Sequence, residues 1–137
     1  MEKSFVIITN NPLVQSKYPE SAEFLDAAAE GVLRAARDYV HLGERILSHP
    51  LSGGVLPGGS PYKSLLMTKT GGGGANQIDF QSLSLIEDAL AALKKPPGGF
   101  EGYDGKTLED FQVLDLDIID SASKTSGLSG FGSIWYN

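Results

Sequence analysis

A continuous run of apolar residues near the start of the chain, residues 5–8 (FVII), predicts a β-strand. A run without polar alternation is typical of a strand that is covered on both faces, as in the centre of an α/β sheet. Residues 9–12 (TNNP) follow directly. We expect the strand to end there, because asparagine favours turns and Pro12 has no N–H to donate to a β-ladder.

Two later segments place apolar side chains at the spacing of an amphipathic helix. Residues 27–41 form the first, with Asp26 as the expected N-cap and Gly43 as the expected residue just past its end. Residues 78–95 form the second helix, with Asp79 as its expected N-cap. The apolar stripes are Ala28, Val32, Ala36, Tyr39 and Val40 in the first helix and Leu83, Ile86, Ala89, Leu90 and Leu93 in the second.

Three further segments favour strands, namely residues 22–25 at a sheet edge, residues 44–48 and residues 62–69. A connection rich in proline and glycine joins the last two, and it contains no helical pattern. Parallel neighbours usually need a crossover of about a dozen residues or more, most often a helix, so an antiparallel pair is favoured here. An antiparallel pair places His49 and Lys63 at the same end of the sheet, whereas a parallel pair would place them at opposite ends.

Residues 107–121 fit a helix better than a strand, with Thr107 as the expected N-cap. The apolar side chains that recur at helical spacing are Leu108, Phe111, Leu114 and Ile118. Several aspartates in the same segment fit no calcium-binding loop, and we interpret them as a solvated acidic face. They are Asp110, Asp115, Asp117 and Asp120.

Strands and helices alternate through much of the chain, which places it in the α/β class. We expect a small three-layer sandwich with a mixed, mostly parallel, Rossmann-like sheet. Residues 1–120 would form this single α/β domain, and residues 121–137 a Gly- and Ser-rich C-terminal tail. A chain of 137 residues is long enough for one domain with a substantial core.

Composition argues against several classes of function. The chain has no cysteine, which excludes disulfides, thiolate nucleophiles and cysteine-ligated zinc. Its net charge of −6 and its scattered basic residues argue against nucleic-acid binding. No apolar run approaches the ~20 residues that a membrane span needs, and the first run is too short for a signal peptide. We therefore expect a cytoplasmic protein that has no metal, no cofactor and no membrane partner.

Candidate chemistry gathers where strands end, because ligands of open α/β sheets sit beyond the carboxyl ends of the strands. The candidate ligand-binding residues are Thr9, Asn10, Asn11, His49, Ser52, Tyr62 and Lys63. Together they offer imidazole, ammonium, amide and hydroxyl groups, which suit a small anionic or carboxylate-bearing molecule. An imidazole can also support acid–base chemistry near neutral pH. The simpler interpretation is that these side chains satisfy backbone groups in turns.

Two sharper motifs fail on their context, so no catalytic residue is assigned. The glycines of residues 53–59 are not followed by Gly-Lys-Ser or Gly-Lys-Thr, which excludes a P-loop. Residues 60–63 (SPYK) match the S-x-x-K motif by letter. That motif needs the start of a helix, whereas Pro61 precedes a predicted strand.

A series of short segments, taken in order, resembles the GrdX family. These are small cytosolic proteins encoded beside the glycine, sarcosine and betaine reductase genes of amino-acid-fermenting anaerobes. The resemblance covers roughly residues 5–120. The segments are residues 8–12 (ITNNP), 37–43 (RDYVHLG), 49–52 (HPLS), 61–64 (PYKS), 79–83 (DFQSL), 86–89 (IEDA) and 108–112 (LEDFQ).

The resemblance implies association with a selenium-dependent amino-acid reductase system, but it implies neither a defined activity nor catalytic residues. The glycine run at residues 71–74 and the tail after residue 121 depart from the family pattern. Three hypotheses stay open, and the sequence leaves the oligomeric state undecided. The first is an accessory protein that binds a reductase subunit or assists assembly. The second is a small-molecule-binding or enzymatic domain that uses the loops around Asn10, His49, Ser52 and Lys63. The third is a structural homodimer.

Overall fold

The fold is built on a small mixed sheet with helices on both faces. The computed structural model describes residues 5–50, 60–70, 78–93 and 102–125. The strands in these residues are β1 (Phe5–Thr9), β2 (Ala22–Phe24) and β3 (Ser64–Thr68). The helices are α1 (Pro12–Lys17), α2 (Ala29–His41), α3 (Phe80–Ala92) and α4 (Gly105–Thr125). None of these helices is both long enough and apolar enough to cross a membrane.

β1 is the central strand of the sheet, whose order is β2-β1-β3. It pairs in parallel with β2 and antiparallel with β3. The predicted mixed α/β class is confirmed, but the prediction that the sheet is mostly parallel is wrong. Of the two pairings that β1 makes, only the one with β2 is parallel, because β3 runs in the opposite direction and joins the other edge of β1. The Rossmann-like part of the expectation finds no support in these three strands.

The segment at residues 44–48 lies antiparallel beside β3, as predicted, but it is not a regular strand. Ile46 makes an isolated antiparallel bridge to Met67. Beyond this bridge, Leu66 N donates to Ser48 Oγ at 2.9 Å rather than to a backbone carbonyl. Because a side chain takes the place of the next ladder bond, the predicted strand is reduced to a single bridge.

Alternate residues of β1 face opposite sides of the sheet. On one face, Val6 and Ile8 join a core that they form with α2 and α3. On the other face, Ile7 joins Val14 of α1 and Ile119 of α4. Helices therefore cover both faces, which explains why the first strand is apolar without alternation.

The ends of α2 and α3 test the predicted caps. Asp79 caps α3 as predicted, because its side chain accepts a hydrogen bond from Ser82 N at 3.1 Å. Gly43 follows the end of α2 with a φ of 102°, a left-handed conformation that favours glycine. The prediction of Asp26 as the N-cap of α2 is wrong, because Ala28 occupies that position and makes no side-chain cap.

α4 is a helix, as favoured, but its start and its buried face differ from the prediction. Asp104 Oδ1 accepts from Thr107 N at 2.8 Å, so Thr107 lies inside the helix and is not its cap. The predicted apolar stripe is also misplaced, since Leu114 is 58% exposed whereas Asp115 is only 6% exposed. The helix continues past residue 121 to its end at Thr125. Polar contacts at the sheet edge, rather than apolar area alone, decide how α4 is turned.

Candidate functional site

The end of β1 and the start of β3 meet at one edge of the sheet, because Thr9 pairs with Ser64 in the antiparallel register. Polar side chains that are almost completely withdrawn from solvent gather at this edge. We call them the buried polar cluster. Its members are Thr9, Asn10, Asn11, Lys63, Ser64 and Asp115.

A chain of hydrogen bonds runs through the hydroxyl groups of the cluster to one carboxylate. Asn11 N donates to Thr9 Oγ1 at 2.9 Å, and the hydroxyl oxygens of Thr9 and Ser64 are 2.6 Å apart. Ser64 Oγ donates to Asp115 Oδ2 at 2.6 Å. Because this bond uses the Ser64 hydroxyl proton, Thr9 must be the donor to Ser64. The donors therefore point in one direction, from β1 through β3 to α4.

Asp115 receives a further hydrogen bond on the same oxygen from Asn11. Asn11 Nδ2 lies 2.9 Å from Asp115 Oδ2 and 2.9 Å from the Gln112 carbonyl oxygen. The Asn11 Oδ1 accepts from Leu13 N at 3.0 Å and so caps α1. A single side chain therefore both starts α1 and fastens it to α4.

Asn10 ties together the segments that precede α2 and β3. Its Oδ1 accepts from Lys63 N at 2.8 Å. Its Nδ2 donates to the carbonyl oxygen of Ala27 at 2.8 Å and to that of Pro61 at 3.2 Å. Both ends of the amide thus bind backbone groups, which supports the simpler structural interpretation of this residue.

Lys63 is a buried cation at the same edge, with 1% of its surface exposed and its Nζ donating to the Pro50 carbonyl oxygen at 2.9 Å. Burial lowers the pKa of Lys63 from 10.5 to about 8, and the charge of Asp115 opposes this effect. Burial raises the pKa of Asp115, against hydrogen bonds from Ser64 and Asn11 and the charge of Lys63. Each buried charge therefore offsets part of the desolvation cost of the other.

His49 and Lys63 lie at the same end of the sheet, as the antiparallel pairing predicted. The Lys63 ammonium binds the carbonyl of Pro50, which directly follows the half-buried His49. Tyr62 is buried, and its hydroxyl oxygen accepts from Gln112 Nε2 at 2.8 Å. Of the predicted site residues, only Ser52 lies outside the described residues.

The buried polar cluster has a structural role, because it holds helices against the sheet. Among the described residues, Asn11 and Ser64 bind Asp115 and Asn11 binds the Gln112 carbonyl, and these hydrogen bonds connect α1 and α4 to the sheet. Lys63 retains reactive potential, because a lysine with a lowered pKa has a larger neutral fraction than an ordinary lysine. In the described part of the chain, no three histidine or carboxylate side chains are placed to hold a metal ion.

Comparison with known proteins places the chain in a family. The profile of the GrdX-like protein family matches residues 6–124. The chain belongs to the GrdX-like family. The match runs from β1 into the last turn of α4 and includes the whole buried polar cluster of this GrdX-like chain. Searches of curated proteins and of solved structures found no match.

Sequence reasoning missed the central acceptor of the site. Asp115 was grouped with three other aspartates as a solvated face, and that interpretation is wrong for this residue, which is buried. The spacing gave no clear signal, because Asp115, Ile119 and Ser123 share the buried face of α4 at four-residue intervals but only Ile119 is apolar. Ser64 was also missed as a site residue, although it directly follows the predicted Lys63.

Replacing Asp115 with alanine should destabilise the protein strongly. The variant removes the acceptor of Ser64 Oγ and Asn11 Nδ2 and also removes the carboxylate charge that favours the charged form of Lys63. We expect a loss of roughly 2–4 kcal/mol in the free energy of unfolding, measured by urea denaturation at neutral pH. The control is Asp117→Ala on the exposed side of α4, which should change stability by about 0.5 kcal/mol or less. Equal losses in both variants would contradict this account.

Replacing Lys63 with methionine should alter the pH dependence of stability. The pKa of Lys63 in the folded protein, about 8, is below its ordinary value of 10.5. Between these values the unfolded chain binds more protons, so the free energy of unfolding of the natural chain should rise with pH relative to Lys63→Met. Urea denaturation from about pH 7 to about pH 10 measures the difference.

The control for this titration is Lys69→Met, because Lys69 is an exposed lysine that directly follows β3. The difference in free energy of unfolding between Lys69→Met and the natural chain should not change across the same pH range. A difference between the natural chain and Lys63→Met that does not change with pH would contradict a lowered pKa for Lys63.

Proposed function

We propose that this chain is a cytoplasmic accessory protein of the glycine, sarcosine and betaine reductase system that binds a reductase subunit and has no turnover of its own. Membership of the GrdX-like family supports the association with that system. The absence of cysteine also supports an accessory role, because the chain cannot take part in thiol exchange.

The observation that carries the proposal is the internal pairing of the buried polar cluster. A catalytic constellation directs its donors and acceptors at a reacting molecule. Here the donors of Ser64 and Asn11 converge on one oxygen of Asp115, and the amide of Asn10 binds backbone groups at both ends. This pattern favours a rigid scaffold for binding over a site for turnover.

The test is retention of purified reductase subunits by the immobilised full chain. We expect at least one subunit of a glycine, sarcosine or betaine reductase to be retained. The retained subunit should elute when free chain is added in excess, because free and immobilised chain then compete for the same site on the subunit. The controls are the empty matrix and an unrelated acidic protein of similar size and charge, which test for simple ion exchange. If no subunit is retained above these controls, the proposal is wrong.

A second candidate function is the binding of a small anionic molecule at the same sheet edge. The observation that favours it is that residues 9–11, His49 and Lys63 lie at one end of the sheet. The residues proposed to take part are Thr9, Asn10, Asn11, His49, Ser52, Tyr62 and Lys63. The ligand class is a carboxylate or phosphate, because the Lys63 ammonium is a cation that donates hydrogen bonds and accepts none.

Thermal unfolding with a panel of small carboxylates and phosphates tests this second candidate. A ligand that binds the folded chain raises the midpoint of unfolding. His49→Ala should lose most of that rise, whereas His41→Ala should keep it, since His41 is exposed at the end of α2. A ligand that stabilises the natural chain and both variants equally would exclude His49 as a binding residue.

A further inference from the structure

The outward side of α4 carries apolar side chains that the fold does not bury. Val113 is 49% exposed and Leu114 is 58% exposed. They lie away from the face of the helix that packs on the sheet, where Asp115 and Ile119 are buried. These two adjacent side chains in the middle of the helix form a small exposed apolar patch.

Carboxylates surround this apolar pair within one turn of the helix. Glu109, Asp110 and Asp117 lie three or four residues from Val113 or Leu114, and all three are exposed. We call these five residues the outward face of α4. Its apolar centre with a charged rim is the usual organisation of a small protein interface.

Nearby lysines offset only part of the negative charge. Lys106 pairs with Asp110 at 3.2 Å, but both side chains are highly exposed, so water screens the pair. Lys17 binds Asp120 at 2.9 Å, and the charge of Asp117 also acts on Lys17. These two lysines face four carboxylates, namely Glu109, Asp110, Asp117 and Asp120, so the edge of the apolar pair keeps a negative potential in a chain whose net charge is −6.

This charge pattern disfavours several occupants. A second copy of α4 packed antiparallel about Val113 and Leu114 would place Asp110 opposite the partner's Asp117, and like charges across an interface are costly. Nucleic acids and anionic membranes would be repelled for the same reason. A cationic partner is attracted, and its apolar side chains can cover the exposed pair.

We propose that the outward face of α4 docks a basic protein segment that carries apolar anchor residues. Val113 and Leu114 contact the anchors, and Glu109, Asp110 and Asp117 face lysine or arginine side chains of the partner. Such a segment is recognised by a combination of apolar burial and charge complementarity. The inference goes beyond the proposed function, because it rests on the surface of α4 and holds for any partner of this chemistry.

The test uses a fluorescein-labelled amphipathic helical peptide of leucine and lysine, titrated with the full chain and followed by fluorescence anisotropy. We expect saturable binding that weakens between low salt and about 0.5 M salt, because exposed charges are then screened. A matched peptide of leucine and glutamate should not bind. Equal binding of the two peptides would overturn the proposed charge complementarity.

Two double variants locate the binding surface. Val113→Ser with Leu114→Ser, and separately Glu109→Lys with Asp117→Lys, should each weaken binding of the basic peptide by roughly fivefold or more. All four positions are solvent-exposed, so circular dichroism should show native helix content in both variants. The apolar control is Leu42→Ser, since Leu42 is 61% exposed after the end of α2. The charge control is Asp88→Lys on α3, and both controls should bind like the natural chain.

Three outcomes would overturn the proposal. The first is that the control variants weaken binding as much as the α4 variants. The second is a concentration-dependent dimer in sedimentation that Val113→Ser with Leu114→Ser abolishes, which makes a second copy the occupant. The third is tighter peptide binding by the full-length variant Phe131→Ser with Trp135→Ser, which makes the C-terminal tail the occupant. None of these readouts uses a reductase subunit, so failure here is distinguishable from failure of the proposed function.

Discussion

The hydrogen bond from Ser64 to the buried carboxylate of Asp115 is the contact on which the rest of the site depends. Ser64 begins β3 and Asp115 lies in the middle of α4, so this bond joins the helix to the edge of the sheet. Asn11, which caps α1, donates to the same oxygen. A carboxylate buried without donors costs several kcal/mol, so the rotation of α4 that buries Asp115 depends on the hydrogen bonds from these groups.

The rotation of α4 about its axis decides which of its side chains are exposed to solvent and which are buried. Ile119, one turn after Asp115, enters the core beneath the sheet, and Leu114 is left outside. An orientation chosen by apolar area alone would favour burying Leu114, because each exposed leucine side chain gives up about 1.5–3 kcal/mol of possible stabilisation. The polar fastening at the sheet edge and the apolar outward face of α4 are therefore two consequences of one constraint. A helix held in this way gives a partner a rigid surface, which reduces the entropy lost on binding.

Features of the fold that depend on neighbouring residues could be predicted from the sequence. The unbroken apolar run of β1, the cap at Asp79 and the glycine after α2 each follow from local chemistry. The errors lie where a distant residue intervenes. The Ser48 hydroxyl accepts a hydrogen bond from a backbone N–H of β3, which interrupts a predicted strand. Asp115 is buried because Ser64 and Asn11, which are distant in sequence, donate hydrogen bonds to it. A carboxylate is rarely buried without partners, so the sequence pattern around Asp115 alone predicted that its side chain is exposed to solvent. The order of several short segments identified the family, because that signal does not depend on which side chains meet.

The most direct test of this account is a double-mutant cycle between Ser64 and Asp115, with Ser64→Ala, Asp115→Ala and the double variant compared by urea denaturation at neutral pH. If the hydrogen bond fastens α4 to the sheet, the free energies of unfolding should be non-additive by roughly 1–3 kcal/mol, because either single change already breaks the contact. Additive losses, within about 0.5 kcal/mol, would show that the two side chains act independently and would contradict the central claim.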